Sequence, residues 1–167
     1  MRQSKRIAEC GMIAALCVVV MLVGGYLEIG MYLSPVIAGL LLTYIGVQYG
    51  VKYHLTIYIA VSALSFLFVP NIEENLMFAS LFGCYPILRP RLQRMKTWPR
   101  RICKFLFCNV IVISVEMLIM YVLVPEAMGT AMLIALLILF NMTFACYDFM
   151  TPRFYLLMQR YLGKMKR

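Results

Sequence analysis

The chain has 167 residues, of which 63% are hydrophobic and 14% are charged, and its net charge is +9. Soluble domains contain roughly 45–50% apolar and roughly 25% charged residues, and a soluble chain of this length could not bury so much apolar surface inside itself. The composition therefore excludes an ordinary soluble domain and predicts an all-α integral membrane protein whose surface is partly covered by lipid.

Five segments are long and apolar enough to span a bilayer, which takes about 20 mostly apolar residues. They are Ile7–Tyr26, Met31–Tyr49, Tyr53–Val69, Ile102–Val124 and Thr130–Met150. Residues typical of turns mark the breaks between them, including Gly24-Gly25 near the end of the first segment and Pro70-Asn71 after the third. Because more apolar segments follow the first one, it is interpreted as a retained helix and not as a cleaved signal peptide.

A sixth segment, Asn71–Leu88, is ambiguous. Asn71 is a good N-cap, and Glu73 and Glu74 suit the positive end of a helix that starts there. The segment spans about 27 Å as a helix, which is just enough to cross. Pro86 is expected to kink or end it. The alternative is a re-entrant or surface segment.

The distribution of charge favours a sixth crossing. With six crossings and the N-terminus inside, all 16 basic residues lie in inner segments, and the outer loops hold acids but no base. Omitting the fourth crossing would place the basic loop Arg89–Lys104 outside, against the positive-inside rule. The sequence thus predicts six transmembrane helices in a single domain, residues 1–167, of a multi-pass protein of the cell membrane with both termini cytoplasmic.

Two basic segments are expected to contact the membrane surface. The loop Arg89–Lys104 is interpreted as a topology signal that touches anionic membrane lipid, and no nucleic-acid partner is expected. The segment 153–166 is predicted to be a short basic amphipathic helix lying on the inner surface.

The sequence shows no signature of catalysis. Serine-hydrolase, zinc-protease and phosphate-binding motifs are absent, and the single histidine, His54, with six scattered cysteines has no metal-ligand spacing. His54 itself is interpreted as an interface residue near the lipid headgroups. We predict that the protein is not an enzyme and has no metal and no cofactor.

Polar residues within predicted spans are candidates for function because they are costly in lipid. Glu116 lies about 12 Å below the outer end of the fifth span, with Asn109 two turns away on the same face. Asn141 and Asp148 have the same spacing on the sixth span. The pattern predicts either a polar pocket between these helices, open to the outside, or hydrogen bonds that join them. Helix joining is favoured for the two asparagines, and Asp148 is expected to pair with Arg153 or a neighbouring base.

The first span carries a face of small residues. Ala8, Gly11 and Ala15 follow helical spacing, and Cys10 and Ala14 are expected to widen this face. Such a face lets another helix come close. It is predicted to bind a partner protein, with packing inside the same chain as the alternative.

Six helices in a short chain, a small-residue first helix and a short fourth helix resemble the substrate-binding S components of energy-coupling-factor vitamin transporters. That family docks its first helix on a coupling subunit through an Ala-xxx-Ala pair, which Gly11–Ala15 matches loosely. The resemblance implies solute binding near the outer face by helices 4–6 and the loop after helix 1. Its residues would be Glu116, Asn109, Asn141, Glu28 and Asn75.

This resemblance implies that the protein captures a vitamin-like small molecule from outside and has no ATP site of its own. A coupling transmembrane subunit and two ATPase subunits would be its partners. The alternative is a non-catalytic scaffold similar to the membrane protein of the rod-shape-determining complex. An open polar outer pocket would indicate solute binding, whereas a closed apolar core would indicate a scaffold.

Overall fold

A computed structural model describes residues 2–27, 30, 32–92, 95–122 and 130–165. Within these ranges the chain forms helices and their connections, without a strand, as predicted for an all-α protein. The helices are α1 (Arg2–Tyr26), α2 (Ser34–Tyr49), α3 (Val51–Phe68), α4 (Ile72–Met77), a π-helical segment (Phe78–Phe82), α5 (Tyr85–Leu92), α6 (Thr97–Val122) and α7 (Thr130–Met165).

Four of these helices are long and apolar enough to cross a membrane by length and composition. The qualifying stretches, among the described residues, are Gln3–Tyr26, Val51–Phe68, Trp98–Tyr121 and Ile134–Met158, and α2 is a shorter apolar helix. Many of their large apolar side chains point away from the protein: Leu67 in α3, for example, is 75% exposed and Met117 in α6 is 64% exposed. Such apolar surface is unusual for a water-soluble monomer and indicates a membrane protein.

Helix α2 lies at the centre of the fold, where it packs against α1, α3 and α7. Ala38, Leu42 and Ile45 on this helix are fully buried. Gly39 lets the π-helical segment approach α2 closely, because a Cβ there would lie 2.8 Å from the Phe82 carbonyl oxygen and 2.8 Å from the Tyr147 hydroxyl. Since α2 is covered on several sides, its burial, and not only its length, distinguishes it from the outer helices.

The fourth predicted span is not one continuous helix. Asn71 caps α4 as predicted, because its Oδ1 accepts hydrogen bonds from the backbone N–H groups of Glu73 at 3.0 Å and Glu74 at 3.3 Å. After the π-helical segment the chain turns at residues 83–84 and continues as α5. The helical run from Ile72 ends at Phe82, shortly before Pro86, as expected of a proline. Pro86 itself lies in the first turn of α5, where a missing N–H is tolerated.

Side chains from α3 and α7 bind carbonyl groups of this interrupted region. The hydroxyl of Tyr58 donates to the Ala79 carbonyl, and that of Tyr147 donates to the Phe82 carbonyl at 3.0 Å. Nε2 of His54 lies 3.2 Å from the Gly83 carbonyl oxygen. His54 is 2% exposed, so its interpretation as a headgroup residue is wrong: the histidine holds a backbone group of the interrupted helix in the interior.

The role predicted for Gly24-Gly25 differs from the structure. Helix α1 ends at Tyr26, as the predicted span does, but the two glycines lie inside the helix and not in a turn. A Cβ on Gly24 would lie 2.2 Å from Ser34 Oγ, and one on Gly25 would lie 3.0 Å from Glu74 Oε2. These glycines therefore serve close packing between helices, not a turn.

The predicted basic helix at residues 153–166 is helical but is not a separate element. It continues α7 without a break, with Pro152 inside the helix. Pro152 has no N–H for the usual bond one turn back, and the preceding Thr151 Oγ1 donates to the Tyr147 carbonyl at 2.6 Å. A threonine bond to the carbonyl four residues back often accompanies a bend in a helix.

Candidate functional site

A cluster of acidic and amide side chains forms where the end of α1, the starts of α2 and α4 and the last turns of α6 meet. We call this the acidic end and define it by Glu73, Glu74 and Glu116. Its best-defined contact joins Ser34 Oγ to Glu74 Oε1 at 2.5 Å. Both residues are nearly inaccessible, with 3% of Ser34 and 2% of Glu74 exposed. The glycine pair of α1 makes room for this bond.

Several oxygen atoms at the acidic end are buried without a hydrogen-bond partner among the described residues. They are Glu73 Oε1, Glu74 Oε2, Asn75 Oδ1 and Glu116 Oε1. A buried acceptor without a donor costs about 1–3 kcal/mol, and the great majority of buried polar groups in proteins have a partner in the protein or in ordered water. The acidic end is therefore rich in acceptors that need donors.

Glu116 contributes to this cluster from α6. The residue is 5% exposed, and its carboxylate is close enough to Glu73 for the two charges to interact. Tyr32 lies within hydrogen-bonding reach of Glu73 and also interacts electrostatically with Glu116. Glu116 thus belongs to a group formed with α4 and the start of α2, in addition to its predicted position facing the sixth span.

The space beside Glu116 is small and mostly apolar. A hollow of about 160 Å³ is lined by Ile113, Glu116, Met117, Met120 and Leu137. Pockets for complete small-molecule ligands usually measure about 300–1,000 Å³. In this conformation the hollow has room for one group of a solute.

Asn109 and Asn141 bond to each other. Asn109 Nδ2 donates to Asn141 Oδ1 at 3.1 Å, and Asn141 Nδ2 donates to Asn109 Oδ1 at 2.9 Å. Each amide also donates to a backbone carbonyl of its own helix, at 2.8 Å. The two polar stripes therefore face each other, and the asparagines are arranged as the helix-joining interpretation requires.

The other two predicted binding residues are placed differently. Asn75 is 1% exposed, and its Nδ2 donates to the Val69 carbonyl at 3.1 Å, so its amide supports the α3–α4 connection, while Oδ1 has no partner in the described part of the chain. Glu28 lies outside the described residues. Sequence reasoning did not identify Ser34, because a lone serine before an apolar helix has no distinctive pattern.

The small-residue face of α1 is divided between two environments. Ala8, Gly11 and Ala15 are exposed, and a Cβ on Gly11 would meet no described atom within 4 Å. Cys10 and Ala14, which were expected to widen this face, point into the protein with 5% and 8% exposure. The exposed stripe is thus free of packing by the described part of the chain, and binding of a partner there stays a prediction.

The opposite end of α6 carries a charged group that we call the basic end, defined by Arg89, Lys104 and Asp148. Lys104 Nζ donates to both carboxylate oxygens of Asp148, at 2.6 and 2.8 Å, and the Tyr85 hydroxyl donates to the same carboxylate. The predicted base beside Asp148 is thus Lys104 of α6, while Arg153 lies 3.9 Å from the centre of the Phe149 ring. The spacing of residues along the sequence could not reveal this pairing, because the two side chains lie on different helices.

The fold and these sites define an all-helical protein with several membrane-length helices and two polar ends. Among the described residues, no group of three histidine, cysteine or carboxylate side chains is placed to hold a metal ion. Comparison with family models, curated proteins and solved structures finds no match to this chain.

Proposed function

We propose that this chain is a solute-binding membrane subunit of an uptake transporter. In this proposal it crosses the cell membrane six times, with both termini cytoplasmic and the acidic end facing out. The support for the topology is the segregation of charge, since all 16 basic residues of the chain fall in inner segments under this arrangement. In this proposal, helix α2 is the second crossing and the interrupted region 72–88 is the fourth.

The observation that carries the proposal is the set of buried, unpaired oxygens at the acidic end. Ionised carboxylates in a low-dielectric interior are costly unless donors or cations accompany them. A solute that presents N–H groups, or a positively charged nitrogen, would supply the donors that Glu73, Glu74 and Glu116 lack. The proposed solute is therefore a small molecule with such a group, and the resemblance to S components implies that it is vitamin-like.

The limited space at the acidic end adds a condition. The hollow beside Glu116 is about 160 Å³, so a complete solute needs more room than this conformation provides. We expect binding to widen the acidic end, and the donor-bearing group of the solute to reach Glu116 first. A separate module of two ATPase subunits and a coupling subunit would supply the energy for uptake.

A non-catalytic scaffold is the second candidate. The exposed stripe Ala8, Gly11 and Ala15 favours a protein partner and fits either function, because a coupling subunit and a scaffold partner would both use it. The unpaired carboxylate oxygens separate the two candidates, since a scaffold has no evident need for buried acceptors that lack donors.

The test begins with purification in a mild detergent, followed by native mass spectrometry of the intact protein. We expect a co-purified small molecule and, before washing, associated ATPase subunits. Adding the identified molecule back at about 100 times its dissociation constant should stabilise the protein by about 2.7 kcal/mol. For a chain of this size, that corresponds to roughly 5–10 °C in the unfolding midpoint.

The decisive variant is Glu116→Gln, which keeps the shape of the side chain and removes its charge. The solute should then stabilise the variant far less than the wild type, while the solute-free protein unfolds at nearly the same temperature. The matched control is Ser114→Ala on the same helix, because Ser114 Oγ donates to its own Val110 carbonyl at 2.7 Å. Equal stabilisation of Glu116→Gln and wild type would contradict a role for the ionised carboxylate. Absence of any bound solute, with a stable complex of other membrane proteins, would favour the scaffold.

A further inference from the structure

A second cavity lies at the basic end, between α5, α6 and α7. It measures about 380 Å³, and the charged residues that line it are Arg89, Arg100, Arg101, Lys104 and Asp148. Four of these side chains are cationic and one is anionic, so three positive charges are left over among the lining residues. This cavity is separate from the acidic end, because Lys104 and Glu116 lie about 18 Å apart along α6.

The one carboxylate of the cavity is already engaged. Asp148 accepts two hydrogen bonds from Lys104 and one from Tyr85. Arg89 Nε is 3.9 Å from Asp148 Oδ1, which is too long for a hydrogen bond. This nitrogen is buried without an acceptor among the described residues, and the Arg89 side chain is 12% exposed. The unpaired Nε of Arg89 and the surplus of positive charge together favour an anion in this cavity.

The walls of the cavity indicate what kind of anion fits. Phe105 and Phe149 line it beside the charges and are 44% and 58% exposed, so the cavity opens onto an apolar surface of α6 and α7. A small hydrated ion gains nothing from this apolar rim. An amphiphile gains from both parts, because its charged group can reach the guanidinium groups while its chains lie on the aromatic side chains.

We propose that this cavity binds the headgroup phosphate of an anionic phospholipid, with Arg89 and Arg100 as its main donors and the acyl chains lying along Phe105 and Phe149. Guanidinium groups suit phosphate because they offer paired N–H donors in a plane. Basic pockets between membrane helices are a known way in which such headgroups are held. The phosphate of the lipid offsets one of the three surplus positive charges, and the lipid ties α5 to α6 and α7. This inference does not depend on solute binding at the acidic end.

The experiment compares lipid retention in full-length protein reconstituted in nanodiscs and then released into detergent for native mass spectrometry. The nanodiscs contain equal amounts of phosphatidylglycerol and phosphatidylcholine. We expect the wild type to retain one phosphatidylglycerol molecule in preference to phosphatidylcholine. The double variant Arg89→Gln/Arg100→Gln should lose this preference by about tenfold or more, since each basic residue near an anionic lipid contributes about 1 kcal/mol.

The matched control is Lys52→Gln, which removes a charge from an exposed position at the start of α3, outside the cavity. Equal losses in the double variant and the control would show a general attraction between charges and would overturn the site.

Arg101→Gln serves as a second test, because Arg101 is exposed and its replacement leaves the buried contacts intact. This variant should also weaken lipid retention. The last test adds inorganic phosphate at about 10 mM, roughly ten times a millimolar dissociation constant. If this phosphate displaces the lipid completely, the cavity binds a free anion and the lipid assignment is wrong.

Discussion

The paired amides of Asn109 and Asn141 allow a quantitative test of how α6 and α7 are joined. The perturbation is a double-mutant cycle made of Asn109→Ala, Asn141→Ala and the combined variant. Two hydrogen bonds cross between the helices, at 2.9 and 3.1 Å. Hydrogen bonds between membrane helices contribute about 0.6 kcal/mol on average, with a maximum near 1.7. We therefore expect a coupling free energy of about 1.2 kcal/mol.

Each single variant should lower the free energy of unfolding by less than the complete loss of two buried hydrogen bonds would. Each remaining asparagine keeps a donor bond from Nδ2 to a carbonyl of its own helix, at 2.8 Å. Only its Oδ1 loses a partner, so either single variant should destabilise the protein by about 1–2 kcal/mol. The combined variant should cost little more than one single variant, because it leaves no unpaired amide.

The assay is equilibrium unfolding in mixed micelles, followed by circular dichroism, with free energies of unfolding taken for the four proteins of the cycle. The matched control is the pair Ser114→Ala and Thr143→Ala, since each hydroxyl donates to its own helix, at 2.7 and 2.9 Å. This control cycle should show no coupling. A coupling near zero in the asparagine cycle would refute the reciprocal pairing, and the amides would then be available for a solute.

The remaining predictions concern close packing and topology. Gly24→Leu should lower the unfolding temperature strongly, because even a Cβ at this position would lie 2.2 Å from Ser34 Oγ. Gly11→Leu is the control and should leave the isolated protein stable, since no described atom lies within 4 Å of a Cβ there. The same Gly11→Leu variant should abolish co-purification of the partner. Equal destabilisation by both variants would show that Gly11 also packs inside the chain. In a background without native cysteines, Pro70→Cys should react with an impermeant thiol reagent added outside intact cells, and Met95→Cys should not. Both positions are exposed, so each cysteine is accessible from its own side of the membrane. The opposite pattern of labelling would show that the orientation is the reverse of the one proposed.

Local patterns in the sequence predicted the helical segments well. The length of their apolar stretches was enough to predict α1, α3, α6 and α7, because each is recognisable without knowledge of the helices that pack against it. The cap at Asn71 was also predictable, because its hydrogen bonds reach only two and three residues along the chain. Such features depend on near neighbours in the sequence, and their physical cause is local.

The contacts that define the two ends could not be predicted in this way. Ser34 and Glu74 are 40 residues apart in sequence, and Lys104 and Asp148 are 44 apart. Their pairing depends on how the helices pack, and one sequence contains no direct sign of it. The role of Gly24-Gly25 was misread for the same reason, since a glycine pair looks alike in a turn and at a close helix contact.

The hydrogen bonds to the π-helical segment have a consequence for how the sequence can change. His54, Tyr58 and Tyr147 bind main-chain carbonyls of residues 79–83, not their side chains. Any amino acid offers the same carbonyl, so some side chains of this segment could drift in evolution as long as the turn persists. The three donors have no such freedom, because few other side chains reach as far with an N–H or O–H group. Selection in this part of the protein should therefore act on the residues around the interrupted helix more than on the interruption itself.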